Sequence, residues 1–78
     1  MKTVTVIRPD APFNNQSQWW ENPAKCTAVS KRFSNGENAA SWVGRVCSEI
    51  SNNYGNGWPY RVTVDGEYVD RMWVETKF

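Results

Sequence analysis

The chain has 78 residues, nine Lys+Arg against eight Asp+Glu, a formal net charge of +1 and no His. That is one domain, near the lower end of what folds unaided. No 18-residue apolar run and no basic-then-apolar leader is present, so neither a membrane-spanning helix nor a secretory signal is expected, and the expected location is the cytoplasm.

Residues 2–8 alternate and are rich in β-branched side chains, which predicts a strand. Val4 and Val6 share one face; Thr3, Thr5 and Ile7 share the other. Pro9 closes the run. Residues 9–24 show no strand or helix period and carry Pro9, Pro12 and Pro23 among Asn, Gln and Ser. A long stretch without a period inside a small domain is commonly functional. This one holds Phe13, Trp19 and Trp20, which an Asn/Gln-rich loop does not need for solubility.

Residues 25–33 read as a second strand. Ser34 with Glu37 three residues on matches a capping box, and a helix is predicted over about 37–53. Ala40, Val43, Cys47, Ile50 and Tyr54 recur at spacings of three and four, with Ala39 and Val46 widening the stripe and Trp42 at its edge. Asn38, Ser41, Arg45, Ser48 and Asn52 form the polar face. Gly55 suits a left-handed helix stop. Gly44, inside the helix, costs about 1 kcal/mol relative to Ala and suggests a close approach to the sheet or to a partner.

After the loop at 56–59, residues 60–64 read as a strand and Asp65–Gly66 as a two-residue hairpin turn. Residues 67–74 are expected to return as the fourth strand. In that register Tyr60, Val62, Val64, Val69 and Trp73 face the core. Arg61, Thr63, Tyr68, Asp70, Met72 and Val74 face away, with Arg61 paired against Asp70. The expected fold is α+β: a single domain over 1–78, ordered β-β-α-β-β, with a mostly antiparallel four-stranded sheet and one amphipathic helix on one face.

The chemistry available is limited. Two cysteines and no His do not complete a tetrahedral zinc site without carboxylates, so no metal is expected. Cys26 and Cys47 lack a His to activate them, and the hairpin carboxylates Asp65, Glu67, Asp70 and Glu75 read as exposed charges. No catalytic residue and no cofactor are expected. Gly55 and Gly57 follow a helix and precede a strand, the reverse of a phosphate-binding loop. The two cysteines fit neither a CxxC motif nor a disulfide scaffold and read as a reduced, buried pair, the alternative being a disulfide between Cys26 on its strand and Cys47 on the covering helix.

The aromatic content is high: five Trp, three Tyr and three Phe, alongside nine Val and no Leu. Each large ring can bury about 150–250 Å². A single helix-on-sheet layer does not hold them all, and interface cores are enriched in Trp, Tyr, Met and Arg. The candidate partner-binding set is Phe13, Trp19 and Trp20 from the long loop, with Tyr54 and Trp58 after the helix. A secondary surface comprises Arg61, Tyr68, Met72, Lys31 and Arg32.

In size and composition the chain resembles the small accessory proteins of bacteriophages and mobile elements. The resemblance covers no particular residues and carries over no site. It implies a stoichiometric inhibitor of a host machine: an RNA polymerase, a nuclease or a CRISPR surveillance complex. The function expected is therefore a non-enzymatic binding module, monomeric or homodimeric, that occupies a surface on a larger host protein or ribonucleoprotein. The alternatives are a single-stranded nucleic-acid binder that stacks bases on its aromatics, and a sponge for a nucleotide ligand.

Overall fold

A computed structural model describes residues 1–11 and 18–78. The alternating run at the N-terminus forms β1 (Lys2–Pro9), and β2 (Cys26–Phe33) lies antiparallel beside it, with Lys2 opposite Phe33 and Pro9 opposite Cys26. Helix α1 (Gly36–Tyr54) carries the chain across β1 to β3 (Arg61–Val64), which pairs antiparallel with β1. A hairpin then adds β4 (Glu67–Val69). The sheet order is β2-β1-β3-β4, an antiparallel four-stranded sheet with the helix packed on one face, as the α+β reading expects.

The hairpin turn follows from its two residues. Asp65 and Gly66 both have positive φ, at 51° and 82°, which a type I′ turn requires and which Asp and Gly tolerate best. Asp65 also ties the hairpin to β1. Its amide donates to the Thr3 carbonyl at 2.8 Å, and its carboxylate accepts from the Thr3 amide at 2.8 Å.

One core forms between the sheet and the helix. Val4 and Val6 meet Val62, Val64 and Val69 from the neighbouring strands, Ala39, Val43, Cys47 and Ile50 from α1, and Phe33 at the end of β2. Valine suits this position because its branched side chain fills a pleated surface without a long reach. The helical stripe differs in detail from the expected one. Ala39 is buried where Ala40 is half-buried, and Tyr54 is exposed at the end of the helix.

The helix ends also differ from expectation. The N-cap is Asn35, whose side chain accepts from the Asn38 amide at 3.1 Å, so the Ser34–Glu37 capping box does not form. Asn and Ser cap about equally well, and the cap sits one residue later than Ser34. At the other end Gly55 has φ 110° and ψ 155°, which is not the left-handed helical region but one that only glycine populates readily. Among the described residues Gly44 has open space where a side chain would go, so it makes no close approach to the sheet. That role belongs to Gly36, where a Cβ would stand 2.8 Å from the Glu75 carbonyl oxygen.

The largest departure is at the C-terminus. The strand expected over 67–74 ends at Val69, and Arg71–Lys77 form a 3₁₀ helix that packs on α1. Asp70 caps it, accepting from the Met72 amide at 3.0 Å. Asp70 is thus engaged with its own backbone, and the expected Arg61–Asp70 charge pair is absent among the described residues. The change of period reverses two side chains. Val74, expected outside, is fully buried, and Trp73, expected in the core, is 57% exposed. A three-residue β4 also leaves little open edge for unwanted pairing.

Candidate functional site

The helix covers one face of the sheet and leaves the other uncovered. Strand alternation and the observed register assign Thr3, Thr5 and Ile7 of β1, Arg61 and Thr63 of β3 and Tyr68 of β4 to that open face. Over one end of it lies the segment before β2, which forms two short 3₁₀ turns, Trp19–Glu21 and Pro23–Lys25. The second turn starts on Pro23, whose fixed φ and missing N–H suit a first helical position. The segment is held at two points. The Asp10 amide donates to the Lys25 carbonyl at 3.0 Å, and the Cys26 thiol donates to the Trp19 carbonyl at 3.2 Å.

This arrangement brings Trp20 to Arg61. The guanidinium carbon of Arg61 lies 4.4 Å from the Trp20 ring centroid and 4.0 Å from that of Tyr68. Trp19 meets Trp20 edge-on, with centroids 5.5 Å apart at 86°. Thr5, Ile7, Thr63 and Gly66 complete a shallow depression around the cluster. Its described lining contains no Lys, Asp or Glu. The Arg61 side chain makes no hydrogen bond or ion pair among the described residues, so its donors are open to a partner while its plane is held by two rings.

Tyr54 and Trp58 stand on the other face. Their rings stack at 5.1 Å and 27°, and the Arg8 guanidinium sits 4.4 Å from the Tyr54 centroid. The Trp58 indole N–H donates to the Pro9 carbonyl at 3.1 Å, and its ring packs on the core. Arg8 is itself paired with Asp10 at 2.8 Å. The five residues of the primary candidate set thus do not form one patch. Trp20 joins Arg61 and Tyr68 of the secondary surface, Tyr54 and Trp58 form a separate pair, and Phe13 lies outside the described residues.

The remaining secondary residues also divide. Arg32 lies opposite Thr3 on the open face, and Lys31, opposite Val4, is on the helix side near the Phe33 ring. Met72 is 77% exposed on the C-terminal 3₁₀ helix, away from the sheet alternation that was expected to place it beside Tyr68. The sequence reading missed Arg8 and Ile7 as neighbours of the aromatic clusters. Their parity on β1 was readable; the direction in which the loop folds back was not.

Both cysteines are free. Burial raises the Cys47 thiol above its ordinary range, partly offset by a hydrogen bond with Tyr60 and the charge of Arg71. The Cys26 thiol is raised by its surroundings and by the nearby Asp10 carboxylate. Among the described residues no group of three or more His, Cys, Asp and Glu side chains gathers as a metal site, and no helix is long and apolar enough to cross a membrane. What the open face offers chemically is contact: aromatic area, hydroxyls, and the Arg61 guanidinium set to meet a carboxylate or phosphate in two-point fashion. Comparison with protein-family models, curated proteins and solved structures finds no match to this chain.

Proposed function

We propose that the protein is a non-enzymatic binding module whose uncovered sheet face docks onto a larger protein or ribonucleoprotein in the cytoplasm. The observation that carries this reading is the Arg61 guanidinium held between Trp20 and Tyr68 with no internal acceptor among the described residues. Trp, Tyr and Arg are the residues that most often dominate binding energy, and an Arg already fixed in place loses less freedom on docking. The lining free of Lys, Asp and Glu fits the composition of interface centres. Size and composition, which resemble those of phage accessory proteins, make stoichiometric inhibition of a host machine the role such a face serves.

Single-stranded nucleic acid is the competing ligand, since exposed Tyr68 and Trp20 also suit base stacking. Two features favour protein. Arg61 already covers one face of each ring, and a net charge of +1 gives a weak phosphate term. The test is capture by the tagged protein from bacterial lysate, with and without nuclease and across a salt series. A stoichiometric protein that survives nuclease and changes little with salt supports the reading. Recovery of nucleic acid alone, lost steeply with salt, replaces it with the single-strand binder.

A further inference from the structure

Strand β2 is an edge of the sheet, and residues 27–32 are all exposed. The phase of its hydrogen bonds follows from one contact. The Asp10 amide donates to the Lys25 carbonyl, and 10 opposite 25 continues the register of Pro9 opposite Cys26. Bonded and non-bonded pairs alternate along an antiparallel ladder. Thr27, Val29 and Lys31 therefore turn their N–H and C=O groups toward β1, while Ala28, Ser30 and Arg32 turn theirs outward. Proteins commonly guard such an edge with shortness, proline, a bulge or charged side chains, and the charges on β2 are Lys31 and Arg32 at its C-terminal end. β4 is short, but β2 has eight residues in unbroken register with β1 and no proline.

Beside this edge runs a groove between β2 and α1. Val29 lies directly opposite Val6, yet Val6 is buried and Val29 is 43% exposed at the edge of the sheet. Val29, Trp42, Val46 and Tyr54 form its apolar wall. Lys31, Arg45 and Glu49 border it, and none of the three forms an ion pair among the described residues.

We infer that a second copy of the chain occupies this edge, β2 against β2, antiparallel about a two-fold axis at Ser30. The charges argue for a second copy. Lys31 and Arg45 border the groove only beside Trp42 and Val46, whereas Glu49 also lines its other part, where Arg8 is already paired with Asp10. A two-fold reverses the groove, so the basic end of each copy runs beside the acidic part of its mate, twice over. Like charges also exclude two registers. Pairing about Lys31 or Arg32 sets a cation against itself, whereas pairing about Ser30 sets Arg32 opposite Ala28 and Lys31 opposite Val29. In that register Ala28, Ser30 and Arg32 all find partners for their outward backbone groups, and the exposed Val29 gains cover.

The product is a continuous eight-stranded sheet with both helices on one side. Both open faces then point the same way, with the two Arg61 positions five strand spacings apart across the sheet and four residues apart along it, roughly 28 Å. Two identical sites on one rigid sheet would bind a repeated or two-fold target with added avidity.

Sedimentation equilibrium of the purified full chain, from low to high micromolar concentration, tests this. The wild type is expected to approach twice the chain mass. Ser30→Pro removes an outward N–H, a change an edge strand tolerates, and is expected to give a monomer with an unchanged far-ultraviolet spectrum. Val29→Lys leaves the backbone intact, puts a cation opposite Lys31 of the mate, and is expected to weaken the dimer at least tenfold. It decides the matter if Ser30→Pro does not fold. A wild type that stays monomeric throughout, or a dimer that survives Val29→Lys at wild-type strength, overturns the inference.

Discussion

Arg61 stacks on Tyr68 across the β3–β4 hairpin, its guanidinium carbon 4.0 Å from the ring centroid, and Trp20 closes the other approach at 4.4 Å. A cation over a ring at a partly exposed site is worth about 0.5–1 kcal/mol. Arg61→Ala is therefore expected to lower stability by about 1–2 kcal/mol in urea unfolding, leaving the fold intact. In a Tyr68→Ala background the loss should shrink by about 0.5–1 kcal/mol, which a double-mutant cycle reads directly. Arg61→Lys should recover only part of it, because the planar group is what stacks.

Val74 and Trp73 give opposite results depending on whether residues 71–77 are strand or 3₁₀ helix. Val74 is fully buried and Trp73 mostly exposed. Val74→Ala is expected to cost about 2 kcal/mol, the order of burying a valine side chain. Trp73→Ala should cost under about 1 kcal/mol, as for surface positions. The reverse ranking in thermal or urea unfolding would restore the strand.

The two helix glycines make a second pair. Gly44 meets nothing within reach of a new side chain, so Gly44→Ala should stabilise by about 0.5–1 kcal/mol through helix propensity alone. Gly36 touches the C-terminal 3₁₀ helix, and its added Cβ would fall 2.8 Å from a backbone oxygen and 3.0 Å from the Phe78 Cβ. Gly36→Ala is expected to destabilise by about 1–3 kcal/mol, as overpacking does. Equal effects from the two substitutions would contradict this packing.

These residues also mark where the sequence was readable. Alternation in 2–8 and the Asp65–Gly66 turn determine β1, the hairpin and its register, because a period of two and a positive-φ turn are local properties. The helical stripe did the same for α1. The 3₁₀ helix was hidden because Val69, Trp73 and Val74 satisfy a strand pattern, and the Asp70 cap that breaks it looks like any exposed hairpin charge. At the site, parity alone put Arg61 and Tyr68 on one face. Trp20 joined them through a fold-back set by distant backbone bonds to Lys25 and Trp19, for which an aperiodic loop carries no local signal.

Burial raises the Cys47 thiol, which fixes the sign of a pH effect. Above the ordinary thiol value of 9.0 the unfolded chain releases this proton while the folded chain retains it. The folded state then binds more protons, so stability falls as pH rises through that range and is unaffected below it. Cys26 is shifted in the same direction. Urea unfolding at neutral pH and at about pH 10 should show the loss, and Cys47→Ala should reduce the difference between the two. In a thiol-labelling assay Cys26, half-buried, should react before Cys47.

The most direct test of the open sheet face is capture from nuclease-treated lysate by three forms of the protein: wild type, Trp20→Ala with Arg61→Ala, and Tyr54→Ala. The expected result is a stoichiometric protein with the wild type and with Tyr54→Ala. The double variant, still folded by its far-ultraviolet spectrum, should lose it by at least about 2 kcal/mol of affinity. A partner held equally by the double variant, or lost only with Tyr54→Ala, would contradict the assignment and move the contact to the helix side of the sheet.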